Sequence, residues 1–250
     1  MSGHNKWSTI KHKKGKADAQ RGRLFTRLIK EISVAAREGG GDPEGNPRLR
    51  TAILNARQSN MPTDNIDRAI KKGTGELPGV TYDEVVYEGY GPGGVALYLE
   101  VLTDNKNRTV AEIRHLIGKY GGNLGENGSV AWMFDRKGMI HVPADEVTED
   151  DVLMAVMDAD AEDVKDEGES FVVITGVENF EEIKKALEKN GIKYSESALE
   201  MIPKTMTQIS GKHASSLIKL LERLEDHEDV QHIFSNFDMS EEELAALTSR

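Results

Sequence analysis

The 250-residue sequence contains no cysteine. Disulfides, thiolate metal ligands and cysteine nucleophiles are therefore excluded, and we expect a protein of the reducing cytoplasm. Aromatic residues make up only 6% of the chain, while 38% is hydrophobic, which suits several small cores. No apolar run approaches the ~18 residues of a membrane span, and no signal-peptide core is present, so we expect no membrane association.

Positive charge is in the minority overall but is concentrated at the start of the chain. Residues 1–30 carry nine Lys/Arg and a single acid, Asp18, whereas the other 220 residues hold 23 basic and 42 acidic residues. A local charge of +8 thus precedes a body of −19. Such asymmetry indicates a polyanionic partner, because Lys and Arg neutralise phosphates in the sequence-independent part of nucleic-acid binding. The alternative is a solvated charged tail.

Residues 1–20 show no regular apolar period, and we call this predicted segment the basic arm. Its cations suit contacts to phosphates, and its tryptophan suits stacking on a base, as in complexes with single-stranded or structured RNA. The candidate nucleic-acid-binding residues are Lys6, Trp7, Lys11, His12, Lys13, Lys14, Lys16, Arg21, Arg23, Arg27 and Lys30. Trp7 could equally pack the arm against a neighbouring domain. More positive charge follows on the next two predicted helices, at Arg48, Arg50, Arg57, Arg68, Lys71 and Lys72.

Apolar spacing predicts a helical domain at residues 21–78. The first helix begins at about Arg21 and ends at Gly39-Gly40-Gly41, and the second follows Asn46-Pro47. Thr63 or Asp64 is expected to cap a third helix, which Gly73 closes. The residues predicted to be buried by the second helix are Leu49, Ala52, Ile53 and Ala56.

After residue 80, alternating strand and helix patterns predict two ferredoxin-like α+β modules. One strand pair is predicted at Val130–Phe134 and Gly138–Val142, around a turn at Asp135–Lys137. We expect an α+β protein of three domains, with one module inserted in the other. The predicted bounds are 1–20 for the basic arm, 21–78 for the helical domain, 79–134 with 204–250 for a discontinuous α+β domain, and 135–203 for the inserted domain.

The motifs that would indicate an enzyme lack their structural context. Gly89–Gly94 matches GxGxxG formally, but a strand follows it, which predicts a glycine hairpin. Gly121–Gly128 lacks the Lys-Ser/Thr ending of a phosphate-binding loop and predicts a surface loop that can contact a partner. His227 and His232 lie five residues apart, whereas a helical zinc motif needs four. We therefore expect no enzymatic activity, catalytic residue, cofactor, metal or small-molecule substrate.

Four stretches carry a resemblance to a known family: GHNKWSTIKHKKGKADAQRGRLFT (3–26), GNPRLRTAILNARQSNMPTDNIDRAIKKGTG (45–75), YEGYGPGGVALYLEVLTDNKNRT (87–109) and GGNLGENGSVAWMF (121–134). The sequence resembles the YebC family, which includes the mitochondrial translational activator of cytochrome oxidase. The resemblance implies a helical domain, an α+β domain, a third domain inserted in the second, and no enzymatic activity. It also implies a regulatory role, described for the family either as DNA-binding transcriptional regulation or as relief of ribosome stalling. The ribosomal role would map onto Lys6 through Arg27.

Three hypotheses stay open on the sequence alone. No helix–turn–helix spacing with a base-reading helix is visible, which favours ribosomal RNA and the ribosome slightly over sequence-specific DNA. A third alternative is a protein–protein scaffold that uses the acidic modules. Ten acids lie in Glu149–Glu169, where a solvated face is the default interpretation.

Overall fold

The computed structural model describes residues 17–248, with side chains for residues 21–240 and 242–247. In this part of the chain, three helices are followed by two four-stranded sheets that carry helices, so the α+β class is confirmed. No helix among these residues is long and apolar enough to cross a membrane.

The N-terminal part consists of α1 (Ala17–Gly39), α2 (Pro47–Gln58) and α3 (Thr63–Gly73). Asn46 caps α2, since its Oδ1 accepts a hydrogen bond of 3.1 Å from the Leu49 amide. Its Nδ2 donates to the carbonyl oxygens of Ala35 and Gly40, both at 2.8 Å, which ties the start of α2 to the end of α1. The four residues predicted to be buried by α2 are buried.

The predicted cap of α3 is wrong. Pro62 holds the N-cap position, Thr63 is already helical, and no side chain caps the helix. The Pro62 carbonyl oxygen accepts hydrogen bonds from the amides of Asn65 at 3.0 Å and Ile66 at 3.4 Å, which starts α3 directly after the proline. At the other end, a Cβ on Gly73 would lie 2.3 Å from the Ser33 carbonyl oxygen, so α3 packs directly on the α1 backbone.

The first sheet has the order β3-β1-β2-β9, with antiparallel neighbours throughout. Its strands are β1 (Asp83–Tyr90), β2 (Ala96–Thr103), β3 (Asn123–Leu124) and β9 (Val230–Ser235). Helices α4 (Lys106–Lys119) and α7 (Gly211–Glu225) contribute to its core with side chains such as Ile113 and Leu217. The predicted hairpin at Gly89–Gly94 is confirmed, with a short 3-10 turn at Pro92–Gly94.

The second sheet has the order β5-β6-β4-β7, again with antiparallel neighbours. Its chain order is β4 (Phe134–Pro143), α5 (Glu149–Val156), β5 (Asp163–Asp166), β6 (Ser170–Thr175), α6 (Phe180–Lys189) and β7 (Glu196–Pro203). This is the βαββαβ topology of a ferredoxin-like fold. Every strand of this sheet comes between β3 and β9, which both belong to the first sheet.

The predicted strand pair at residues 130–142 is wrong. Residues 131–133 form a 3-10 turn, and β4 runs without interruption from Phe134 through Gly138. Gly138, the first residue of the second predicted strand, lies inside β4, and a Cβ there would lie 2.4 Å from the Phe180 ring. A glycine inside a strand thus marks the close approach of α6.

The last elements complete the first sheet's core. Strand β8 (Thr207–Gln208) is short and pairs in parallel with β10 (Phe237–Asp238). Helix α8 (Glu241–Thr248) follows, and its Leu244 is buried in the cluster that includes Leu217. The residue bounds of the basic arm and the three domains stay a prediction.

Candidate nucleic-acid interface

Seven of the predicted contact residues lie outside the described residues. They are Lys6, Trp7, Lys11, His12, Lys13, Lys14 and Lys16. The other four, Arg21, Arg23, Arg27 and Lys30, lie on α1, and the structure separates them into different roles.

Arg21 is the most accessible of the four. It is exposed, and its guanidinium lies 5.5 Å from the centre of the Phe25 ring on the same helix. Arg23 is partly exposed and pairs with Asp226, with 2.8 Å between Nη2 and Oδ1. An exposed ion pair of this kind is weak, so a phosphate can compete with Asp226 for the guanidinium.

Arg27 is half-buried against the end of α7. Its Nε is buried and makes no hydrogen bond within the described part of the chain. Burial lowers the pKa of Arg27 below its ordinary value, the negative charge of Glu225 opposes this shift, and Arg23 adds to it. One face of the guanidinium group is thus withdrawn from solvent.

Lys30 corrects the sequence prediction, because its side chain faces the protein interior. Only 6% of the residue is exposed, and Nζ donates to Asp229 Oδ1 at 2.6 Å and to the Glu228 carbonyl at 3.0 Å. The ammonium also lies 5.4 Å from the centre of the Tyr82 ring. A phosphate would have to displace these partners, so Lys30 joins the helical part to the first sheet and is not accessible to a phosphate in this structure.

Asp229 is the centre of that junction. Besides Lys30, its carboxylate accepts hydrogen bonds from Thr109 Oγ1 at 2.6 Å and Arg108 Nη2 at 3.0 Å. Burial alone would raise the pKa of Asp229, but these three donors, led by Lys30, outweigh burial and lower the pKa to about 2. The carboxylate is therefore ionised and holds α1, α4 and the start of β9 together.

The cavity beside this junction does not suit a polyanion. It has a volume of about 480 Å³. The acids Asp104, Glu112, Glu228 and Asp229 line it together with the cations Lys30 and Arg108. His227 also faces it and pairs with Glu112 at 2.9 Å. Acids outnumber the permanent cations, so a phosphate would meet net negative charge there.

Two further cations of the helical part are also held by acids. Arg48 pairs with Glu31 and Glu38, at 2.7 Å each, and with Glu84 of β1. Arg50 lies 3.7 Å from Glu181 of α6. These arginines join the helical part to the two sheets.

Four further cations of this part are accessible and unpaired among the described residues. Arg57, Arg68, Lys71 and Lys72 are exposed, and none of them forms an ion pair with another described residue. Arg68, Lys71 and Lys72 follow the i, i+3, i+4 spacing of one helix face, opposite the buried Ile66 and Ala69. We call Arg21, Arg57, Arg68, Lys71 and Lys72 the exposed cation set.

The surface loop predicted at Gly121–Gly128 continues to residue 133, where the sequence predicted a strand. Glu88 of β1 is only 5% exposed, and its carboxylate accepts hydrogen bonds from the amides of Gly128, Val130 and Ala131 at 2.6 to 2.8 Å. Burial would raise the pKa of Glu88, and the three amides lower it below its usual value. Trp132 follows directly and is 67% exposed. The glycine-rich segment before it was the available signal, but the apolar residues 130–134 favoured a strand.

The comparisons with known proteins identify the family. A model described as "TACO1/YebC protein N-terminal domain" matches residues 5–76, and one described as "TACO1/YebC second and third domain" matches residues 82–237. The chain belongs to the TACO1/YebC family. The resemblance seen in the sequence is thereby confirmed over most of the chain.

Similar proteins extend over the whole length. The chain is 57% identical over 244 residues to a "probable transcriptional regulatory protein" of Geotalea uraniireducens, covering 98% of both chains. It is 56% identical to a protein of Geobacter sulfurreducens with the same description, covering 99% of this chain and all of that one. The crystal structure of a conserved hypothetical protein from Aquifex aeolicus matches with a TM-score of 0.83 at 50% identity, over 93% of this chain and 96% of that one.

Proposed function

We propose that this TACO1/YebC protein is a non-enzymatic, cytoplasmic regulator of gene expression that binds nucleic acid through its basic arm and helical domain. Its curated relatives are described as probable transcriptional regulators, which supports a regulatory role in general. The observation that carries the proposal is the charge of +8 in residues 1–30 on a body of −19.

The proposed contact surface differs from the one that charge alone suggested. We assign phosphate contacts to the arm and to the exposed cation set, since these side chains can reach a polyanion without losing a buried partner. Lys30 and Arg48 are left out because acids already hold them. Arg23 and Arg27 stay at the edge of the surface, one in an exposed ion pair and one half-buried.

We favour RNA of the ribosome over a DNA site as the target. The exposed cations of α3 lie along one helix face, which suits phosphates, and the sequence shows no helix–turn–helix spacing with a base-reading helix, so we expect phosphate contacts more than base readout. A transcriptional role on DNA is the competing proposal, in keeping with the names of the relatives.

The proposal is tested by reversing the charge of the arm. We expect Lys11, Lys13, Lys14 and Lys16 changed together to Glu to weaken nucleic-acid binding strongly and to flatten its salt dependence. Each lost phosphate contact should reduce the slope of log K against log salt by about 0.7 to 0.9. The matched control changes Lys165, Lys185, Lys189 and Lys219 to Glu, which alters the net charge equally elsewhere on the chain. Equal effects of both variants, or no effect of the arm variant, would contradict the proposal.

Ribosome and DNA are separated by sedimentation of cell lysate. We expect the protein to travel with ribosomal subunits after nuclease removal of DNA, and to leave them at high salt. Binding to one promoter site with no association to ribosomal subunits would support the transcriptional role instead.

A protein–protein scaffold is the second candidate, and one exposed surface favours it. Leu153, Met154 and Met157 are exposed on and just after α5, among the acids Asp150 and Asp158. Exposed methionines are typical of surfaces that bind other proteins. This candidate predicts that deletion of residues 1–20 leaves function intact, whereas changing the three apolar residues to Ser abolishes it.

A further inference from the structure

The most exposed aromatic side chain in the described part of the chain is also held in a fixed position. Trp132 lies on the 3-10 turn Ala131–Met133, and 67% of it is accessible to solvent. Its indole Nε1 donates to the Ser129 carbonyl at 3.1 Å, so the polar edge of the ring is satisfied inside its own loop. The aromatic face is thereby left for an outside partner.

A buried carboxylate holds the loop beneath this ring. Glu88 binds the amides of Gly128, Val130 and Ala131, and such charge-assisted bonds are roughly twice as strong as neutral ones. The Tyr90 hydroxyl donates to the same Ser129 carbonyl that the indole uses, also at 3.1 Å. Val130, two residues before Trp132, is fully buried and anchors the loop in the core. The ring is therefore ordered before any partner arrives, which reduces the entropy cost of binding.

The chemistry around the ring suits a nucleic acid. Residues 105–137 hold six Lys/Arg and three acids, whereas the chain as a whole has an excess of acids. Lys106, Arg108 and Lys137 pair with acids, so Arg114, Lys119 and Arg136 are the cations of this segment that form no ion pair with another described residue. Lys119 and Arg136 are exposed on either side of the loop in sequence. Asn123 and Asn127 are exposed within it and can donate and accept hydrogen bonds at a base edge. Cations for phosphates thus accompany an aromatic face and polar amides.

We propose that Trp132 is a stacking platform for an unpaired base of a single-stranded nucleic acid, in a second contact site distinct from the basic arm. This inference rests on the proposed nucleic-acid function and adds the kind of strand that is bound. Base–aromatic stacking tolerates any sequence, because every base has a π-face. A duplex cannot use this site, since its bases are already stacked on each other.

The platform lies apart from the first helix along the first sheet. Lys30 of α1 contacts the Leu102 carbonyl near the end of β2, whereas Glu88, which holds the platform loop, pairs with Tyr98. Four residues of β2 separate these points, or about 13 Å at 3.3 Å per residue. The first helix and the platform loop therefore meet the first sheet at two separate points along β2.

The test uses the intrinsic fluorescence of the platform. The chain has two tryptophans, Trp7 and Trp132, so a Trp7→Phe background leaves Trp132 as the single reporter. We expect a 12-nucleotide oligouridine or oligothymidine to quench this fluorescence, and a 12-base-pair duplex to leave it unchanged. Trp132→Ala in the full-length chain should weaken oligouridine binding about 5- to 150-fold without changing its salt slope.

Control variants separate stacking from folding and from simple hydrophobicity. Trp132→Phe should retain most of the affinity, because a smaller aromatic face still stacks. Met154→Ala removes an equally exposed apolar side chain from the other sheet's domain and should have no effect on affinity. Circular dichroism should show the same fold for all three variants, since both side chains lie on the surface.

The outcomes separate this inference from the proposed function. If Trp132→Ala binds as tightly as the wild type while the Lys11/Lys13/Lys14/Lys16 charge reversal loses affinity, the platform is wrong and the proposed function stands. If the indole instead meets a protein partner, oligonucleotides will neither quench it nor depend on it, and the platform is equally overturned. If the wild type binds no nucleic acid, both proposals are wrong.

Discussion

The first sheet holds a buried carboxylate at each end, and the two differ in what they bind. Asp229, at the start of β9, accepts hydrogen bonds from the side chains of Lys30, Thr109 and Arg108. Glu88, on β1, accepts three hydrogen bonds from backbone amides of one loop. Both residues are at most 5% exposed, and both have a lowered pKa.

Asp229 joins two distant parts of the chain, whereas Glu88 shapes a single loop. Lys30 is 199 residues away from Asp229 in sequence, so their ion pair fixes the helical part on the first sheet. Glu88 and its amide partners are 40 to 43 residues apart, and the bonds set the conformation of the segment that presents Trp132. Loss of the first should loosen the molecule, whereas loss of the second should alter a surface.

The largest expected effect is that of Asp229→Asn. The substitution leaves the buried Lys30 ammonium without its counter-charge, and breaking a buried pair in this way costs about 3 to 5 kcal/mol. We expect that decrease in the free energy of unfolding, measured by urea denaturation. Asp226→Asn is the matched control, since Asp226 forms an exposed pair with Arg23 and its loss should cost no more than about 1 kcal/mol. Equal losses in the free energy of unfolding would show that the buried Lys30–Asp229 pair stabilises the fold no more than the exposed Arg23–Asp226 pair.

The same carboxylate should make stability depend on pH in the acid range. The pKa of Asp229 is about 2 in the folded chain, below the ~3.9 of an unfolded aspartate. Its contribution is therefore fully present above about pH 4 and is lost as the pH falls towards 2. We expect Asp229→Asn to reduce the steepness of acid unfolding in this window, followed by circular dichroism. An unchanged acid profile would contradict the assigned role of Asp229.

A moderate effect is expected for Glu88→Gln at the other end of the sheet. The neutral amide keeps one acceptor oxygen but presents an NH2 group to backbone donors, which leaves buried amides unsatisfied. We expect a loss of about 1 to 3 kcal/mol in the free energy of unfolding.

The fluorescence of Trp132 should further distinguish Glu88→Gln from Asp229→Asn. In a Trp7→Phe background, acrylamide should quench Trp132 differently once Glu88→Gln loosens the loop, whereas Asp229→Asn should leave the quenching unaltered under native conditions. Glu126→Gln, an exposed acid of the same loop, is the control that should change neither stability nor quenching.

The smallest effect is expected for Arg23→Ala. The Arg23–Asp226 pair is partly exposed on both sides, so its loss should change the free energy of unfolding by less than about 1 kcal/mol. Lys30→Ala is the informative contrast. It also removes one positive charge from α1, seven residues after Arg23, but from a buried site. If both alanine variants lost equal stability by urea denaturation, burial of the Lys30 pair would not explain its contribution.

Secondary structure was predicted well where residues close together in the sequence determine it. The Asn46-Pro47 start of α2 depends on a side-chain cap and a fixed φ angle, both local properties, and it was predicted with its four buried residues. The strand pair at residues 130–142 was predicted wrongly, since its turn was placed at Asp135–Lys137, just before Gly138, and the close contact that explains this glycine comes from Phe180, 42 residues further along the chain. A steric reason of that kind has no local signature.

The sequence by itself determined the charge asymmetry, the absence of cysteine chemistry, the α+β class, and the family. These follow from composition and from residues close together in the chain. Only the tertiary structure decided which cations are accessible. In the sequence, Lys30 and Arg21 are both cations of the first helix. In the structure, Lys30 binds Asp229, whereas Arg21 faces solvent. It also decided that Trp132 is exposed on a fixed loop, since the carboxylate that holds this loop comes from β1, far away in the chain. Burial and charge pairing depend on distant partners, and those partners exist only once the chain has folded.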